Sequence, residues 1–278
     1  TMQWDESYSW AREFIDENRR GSVPKGFSDL LDVGDLVYIF VENDQVKLDQ
    51  VPQAQSSLIS FNPKTGEVLS YVGGSVFNNS QFDRVRQSYP QSGSVFKPFI
   101  YASAFSGGYN PSSLINDAPI IFEDDNLETF WRPENYSGKF YGLTTLREAL
   151  VQSINIVSIK LLREIGVKKS SETIDNFGFG SERLPQDLSL ALGSGNFSPA
   201  EVARGFSVFA NDGMISDIHY VSQIRDKNGD IIFDHSEIDV VNISSISAFP
   251  WLNTVQLDAS KPKWSVAVKC SFLTDRTS

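Results

Sequence analysis

Two β-hairpins on either side of a helix-rich middle constrain this chain most. The first is Ser57–Phe61 and Glu67–Val72 around Asn62-Pro63-Lys64-Thr65-Gly66, turn residues between two β-rich runs. The second is Ile218–Arg225 and Asp230–Asp234 around Asn228-Gly229, a dipeptide suited to a type I′ turn. Between them the periodicity is helical. A helix opens near Ser94 and runs through Phe99-Ile100-Tyr101-Ala102. Thr145-x-x-Glu148 reads as a capping box ahead of a helix from Leu146 to about Val151, and a further helix, Asn155–Ile165, stops at Gly166. Ser198 as N-cap, Pro199 at the first helical position and Glu201 open another, which runs to about Asn211 before Gly213. Strands at both ends with helices between predict an α+β fold: one antiparallel β-sheet covered by helices, with an all-helical subdomain.

The residues ahead of the first hairpin are a different text. Trp10–Ile15 looks helical, a polar loop holds Gly21 and Pro24, and Asp35–Val41 and Val46–Val51 read as strands joined at Glu42-Asn43-Asp44. This segment is too short to enclose a core, so residues 1–55 are expected to be a partial small β module and residues 56–278 the main domain. Gly107–Gly142, rich in Pro, Asn and Asp, is an irregular excursion of a length that is usually functional.

Composition removes several classes of function. A net charge of −11 disfavours nucleic acid or an anionic membrane surface as partner. The lone cysteine, Cys270, forms no internal disulfide, and His219 and His235 belong to no metal-spaced cluster. Neither a zinc site nor a Ser-His-Asp triad is expected, and no cofactor is implied. No apolar run is long enough to span a membrane and the first residues do not resemble a signal peptide, so if the native protein is exported or anchored, that part would lie outside this sequence.

The chemistry gathers at Gln91-Ser92-Gly93-Ser94-Val95-Phe96-Lys97-Pro98. Three residues apart at a helix start, Ser94 and Lys97 share a face. Serine is a poor nucleophile unless a base takes its proton, and a lysine whose pKa is lowered by burial or a helix N-terminus can be that base. Alone, the pair reads first as a capped helix with a solvated lysine, since such pairs are common by chance. Ser153-Ile154-Asn155, about sixty residues later, supplies a second hydroxyl to relay a proton and an amide to hold a substrate.

Taken in order, these segments resemble the transpeptidase domain of class A penicillin-binding proteins, the bifunctional peptidoglycan synthases, in the branch with an OB-like insert. The resemblance covers most of Trp10–Asp234. It rests on Ser60–Val68, Val72-Gly73-Gly74, Gln91–Tyr101, Trp131-Arg132-Pro133-Glu134-Asn135-Tyr136, Ser153-Ile154-Asn155, Leu190–Ser194, and Ala203-Arg204-Gly205 leading to Phe209–Gly213. It implies a penicillin-binding/serine β-lactamase-like fold and D,D-transpeptidation of peptidoglycan stem peptides ending in D-Ala-D-Ala. Ser94 would be the nucleophile trapped by β-lactams, Lys97 its base, Ser153 the proton shuttle, and Asn155 a partner of substrate or lysine. Trp131 joins the substrate-binding set. The resemblance also implies a cell-envelope, extracytoplasmic setting, with a membrane anchor, a glycosyltransferase domain and wall-synthesis partners in the full-length protein.

The family's third motif, Lys-Thr/Ser-Gly on a strand bordering the cleft, is where this sequence departs. Lys64-Thr65-Gly66 precedes the serine and sits in a hairpin turn, so it is rejected. Trp264–Val268 alternates like an edge strand and runs into Lys269-Cys270-Ser271-Phe272. There Lys269 would hold the substrate carboxylate, the amide of Phe272 would complete an oxyanion hole begun by the amide of Ser94, and Ser271 stands where glycine is expected. His235–Lys263 departs from the family, and the domain reads as truncated or irregular after about 235. Two alternatives stand beside the transpeptidase: a non-catalytic or sensor-type penicillin-binding module, and a serine β-lactamase, for which no deacylating glutamate is evident.

Overall fold

The computed structural model describes residues 2–16, 19–50, 54–78, 80–121 and 131–235, and the backbone of 241–242 and 266–272. The irregularity expected beyond about 235, and Trp264 and Ser265 of the expected edge strand, lie almost wholly outside these residues. The chain divides into two compact units, residues 1–54 and 55–273.

In the first unit, a 3-10 turn over Glu6–Trp10 starts at Asp5, whose carboxylate accepts from the Ser7 amide. Trp4, Tyr8 and Phe27 pack ring against ring at 5.2–5.4 Å, and Tyr8 is buried. The helix expected over Trp10–Ile15 is not formed. The Asp5 cap places the helical turn upstream, and Phe14–Asp16 (β1) pairs instead with Arg19–Arg20 (β2), the Arg20 guanidinium lying over the Phe14 ring. Tyr38–Glu42 (β3) and Gln45–Asp49 (β4) form a hairpin whose two linking residues, Asn43 and Asp44, both have positive φ, as a type I′ turn requires.

In the second unit, Gln55–Phe61 (β5) is the centre of a three-stranded antiparallel sheet, between Val68–Val72 (β6) and the seven-residue edge strand Val266–Phe272. Ile59 and Phe61 are fully buried against Val85 and Ala203. The turn joining β5 to β6 contains Lys64-Thr65-Gly66. A Cβ on Gly66, whose φ is +77°, would stand 1.9 Å from the carbonyl oxygen of Asp217, and the Ser216 hydroxyl donates to the carbonyls of Pro63 and Lys64. That Lys-Thr-Gly is therefore a packed structural turn.

A 3-10 turn, Gly93–Phe96, leads into Lys97–Ser106 (α1), which is buried along most of its length. Leu114–Asp117 (β7) pairs with Gly142–Thr145 (β8), and Leu146–Val151 (α2), Asn155–Ile165 (α3) and Val167–Asp175 (α4) follow. Pro199–Ala210 (α5) begins with a complete Ser198–Glu201 capping box and packs on β5. Phe99 joins α1 to α5: its ring lies 4.8–5.5 Å from those of Phe96, Phe177, Phe179, Phe206 and Phe209. Such edge and offset contacts add to an already large burial of apolar area.

Met214–Ile215 (β9), Gln223–Arg225 (β10), Ile231–Asp234 (β11), Val241–Asn242 (β12) and Val266–Phe272 (β13) complete the strands. The second hairpin, β10–β11, is a separate two-stranded ladder. Its turn is not type I′, since Gly229 has positive φ and Asn228 does not; Asp226 closes it instead by accepting from the amides of Asn228 and Asp230. β13 is the edge strand of the main sheet, paired with β5 so that Lys269 stands opposite Leu58, Ser271 opposite Ser56 and Phe272 opposite Gln55.

The serine turn is fastened by backbone. Gly93 N–H donates to Gly193 O at 2.9 Å, and both the amide and the hydroxyl of Ser92 donate to Gly195 O. Gly193 has φ +72°, and a Cβ there would stand 1.9 Å from Gly93 O. Gly193→Ala should cost about 2–5 kcal/mol, backbone strain plus overpacking. Gly138→Ala, at φ +66° in open space, should cost only about 1–2 kcal/mol. Urea unfolding of both variants checks the difference.

Candidate active site

Lys97 is the first residue of α1 and is 1% exposed, while Ser94, one turn earlier, and Ser153 are exposed above it. A buried lysine must find acceptors for its protons. Here the Lys97 amine donates to Ser153 O at 2.6 Å, Ser153 Oγ at 3.1 Å and Asn155 Oδ1 at 2.7 Å. One carbonyl, one hydroxyl and one amide oxygen thus match the three donors of an ammonium. The structure therefore brings Lys97, Ser153 and Asn155 together. The Ser94 hydroxyl makes no hydrogen bond among the described residues, to Lys97 or to any other group. Lys97 leans towards α3 because its acceptors lie there, and loose nucleophile–base geometry is common before substrate binds.

Burial pushes the Lys97 amine down to about 8. Near neutral pH it is thereby much closer to acting as a base than an exposed lysine is. Once neutral, it has two protons for three oxygens and a lone pair that can accept from a hydroxyl.

Ser153 owes its place to an unusual backbone. It follows α2 with φ +54°, a left-handed conformation that costs a non-glycine residue about 1–2 kcal/mol. Ile154 N–H then reaches back to Ala149 O at 2.8 Å, closing α2 and turning the chain into α3. Asn155 opens α3, and its side-chain amide donates to Glu134 O at 2.9 Å, which aims Oδ1 at Lys97. Four residues beyond Lys97 on α1, Tyr101 meets Ser158 of α3 at 3.3 Å, so the two helices hold one register along the site. Gln152 and Ile154, on either side of Ser153, line a cleft of about 620 Å³ with Tyr141, Thr144 and Glu148.

Trp131 lies half-buried against the helical core. Lys269, Ser271 and Phe272 are placed on β13, which runs beside β5 and against α5. Two residues absent from the expected site belong to its frame: Asn135 accepts from the amides of Asn155 and Ile156, and Asp117 holds Asn135. Asn135 lies within the quoted Trp131–Tyr136 segment, but spacing alone gave it no role. Among the described residues there is no group of three His, Cys, Asp or Glu able to hold a metal, and no helix long and apolar enough to cross a membrane.

Comparison with known proteins identifies the family and the fold. Residues 57–269 match the penicillin-binding protein transpeptidase domain, and residues 1–54 match the penicillin-binding protein OB-like domain. The chain belongs to the penicillin-binding proteins. It is 41% identical over 233 residues to penicillin-binding protein 1A of Pseudomonas aeruginosa, a match covering 84% of this chain and 28% of that protein. Against penicillin-binding protein 1A of Vibrio cholerae it is 39% identical over 238 residues, 84% of this chain and 29% of the relative. The crystal structure of penicillin-binding protein 1A from Haemophilus influenzae superposes with a TM-score of 0.71 at 33% identity, covering 77% of this chain and 32% of that one. This penicillin-binding protein sequence thus spans less than a third of the length of those relatives, and its larger part is a transpeptidase domain of α+β architecture.

The buried lysine gives a pH signature. Its folded pKa of about 8 lies below the 10.5 of an ordinary lysine, so between these values the unfolded chain binds more protons and stability rises with pH. Urea midpoints from pH 7 to 11 should show this rise in the parent relative to Lys97→Met, which lacks the group. Parallel curves would place the amine's pKa elsewhere.

Proposed function

We propose that this domain is a serine D,D-transpeptidase that crosslinks peptidoglycan stem peptides. Ser94 Oγ attacks the carbonyl of the penultimate D-Ala while its proton passes to the Lys97 amine. The tetrahedral intermediate collapses to an ester on Ser94, and the bond to the terminal D-Ala breaks. The departing amine takes the proton from Lys97 through the Ser153 hydroxyl. An amine of a neighbouring stem peptide then attacks the ester, gives up its proton by the same route and frees Ser94. The amide of Ser94 would stabilise the oxyanion together with that of Phe272; such a donor is commonly worth about 3 kcal/mol. Lys269, with Ser271 beside it, would receive the terminal carboxylate, and Trp131 would border the substrate.

The observation that carries this reading is the Lys97 amine, buried, lowered to about 8 and held by Ser153 and Asn155 one helical turn from an exposed serine. β-Lactams would acylate Ser94 because their strained amide replaces the D-Ala-D-Ala bond. Residues 1–55 would be an accessory module to a catalytic domain at 56–278. The full-length protein would work in the cell envelope on the extracytoplasmic face, with a membrane anchor, a glycosyltransferase domain and wall-synthesis partners.

A second reading, a penicillin-binding module without turnover, is favoured by Cys270-Ser271 standing where the family places Thr/Ser-Gly. Fluorescent penicillin separates these readings. The parent should take up one label, with Ser94→Ala unlabelled and Lys97→Met slowed by about 10²–10⁴-fold. Label retained by Ser94→Ala would rule out the nucleophile. A labelled parent that never releases D-Ala from a stem peptide would support the non-catalytic module, and rapid turnover of a chromogenic cephalosporin would indicate a β-lactamase.

A further inference from the structure

We infer that Asp117 and Asn135 are positioning residues for the active-site lysine, a buried acid–amide pair that caps α3 from outside and through it fixes Asn155 against Lys97. The inference rests on the reading of Lys97 as the base and adds the part that sets its geometry.

Helix α3 lacks a cap of its own. Its N-cap position is Ile154, which has no side-chain acceptor, and the residue before it, Ser153, is committed to Lys97. Asn135, twenty residues upstream in sequence, supplies the cap instead: its Oδ1 accepts from Asn155 N at 3.0 Å and Ile156 N at 3.2 Å. Its Nδ2 donates to both oxygens of Asp117 at 3.0 Å and to Lys139 O at 2.8 Å. Only one orientation of the amide satisfies these partners, because a flipped Asn135 would face two N–H groups with its own N–H and a carboxylate with its oxygen. Asn135 is 6% exposed and Asp117 1% exposed, so an unmet polar group at either would be costly.

Asp117 is held in turn by the Tyr141 amide at 2.9 Å and by the β7–β8 ladder, which sets it opposite Gly142. The neighbouring carbonyl of Glu134 takes the side-chain N–H of Asn155. Residues 134 and 135 therefore grip Asn155 by its backbone and its side chain, leaving Oδ1 one direction, towards Lys97. A local serine or aspartate cap would hold the helix equally well but would not tie Asn155 to the β7–β8 ladder.

The test uses the full chain with Asn135→Ala, Asn135→Asp and the exchanged pair Asp117→Asn/Asn135→Asp. Asn135→Asp sets two carboxylates face to face; the exchanged pair restores a donor and an acceptor with roles reversed. The first readout is the titration of Lys97 by NMR of lysine-labelled protein, its signal assigned by absence in Lys97→Met. Asn135→Ala should titrate at lower pH than the parent, because Asn155, an acceptor that favours the ammonium, is loosened; Asn135→Asp adds a carboxylate that opposes this shift, so it is read by acylation, and the exchanged pair, with the parent's net charge, should titrate close to the parent. The second readout is the rate of acylation by fluorescent penicillin, expected to fall about tenfold or more in the single variants and to recover in the exchanged pair. If Asn135→Ala fails to fold, Asp117→Asn alone gives the same comparison. Folded single variants that titrate and acylate like the parent would overturn the inference. A parent never labelled at Ser94 would instead reject the nucleophile, while the Lys97 titration still decides this point.

Discussion

The structure of the site depends on one burial: the Lys97 amine, taken almost wholly out of water and given three oxygens in return. Removing an ammonium from water is expensive unless every proton finds an acceptor. The acceptors come from the connection between α2 and α3, so that connection must be held to within a few tenths of an ångström. Left-handed Ser153, the Asn155 side chain and the remote Asn135 cap all serve this one requirement. The same burial lowers the amine's pKa into the range where a base is useful.

Packing positions Ser94, the proposed nucleophile, separately. The turn carrying Ser94 is tied to the Gly193–Gly195 loop by backbone bonds, and the helix after it is fixed through the rings around Phe99. Serine and lysine are thus positioned by different contacts, the first by a glycine-permitted close approach and the second by polar partners on α3. Among the described residues the exposed Ser94 hydroxyl has no hydrogen bond, while the Lys97 amine is fully bonded. In the proposed reaction, substrate brings the two into line.

Much of this was legible in sequence where the signal is local. Gly166 ends α3 and Ser198-Pro199 begins α5 as read, because caps and breakers act on neighbouring residues. Ser94, Lys97, Ser153 and Asn155 were visible as ordered motifs, and the structure brings the last three together. Misreadings came where an aspartate two residues away captured a backbone amide, or where a remote partner decided. The first helical turn moved upstream to the Asp5 cap, and Asp226 overrode the turn type expected of Asn228-Gly229. Asp117 and Asn135 carried no signal, since a buried acid–amide pair eighteen residues apart has no periodicity. Nothing in a serine announces φ +54° at Ser153 either.

Lys97 is proposed to serve Ser94 once an acyl donor brings the two into hydrogen-bond contact. A crystal structure of the chain soaked in benzylpenicillin tests it most directly. The account predicts continuous density from Ser94 Oγ to the opened lactam carbonyl, with the Lys97 amine within hydrogen-bond distance of both Ser94 Oγ and Ser153 Oγ. Density joined to another residue, or an acylated Ser94 with Lys97 still bonded only to Ser153 and Asn155, would contradict it.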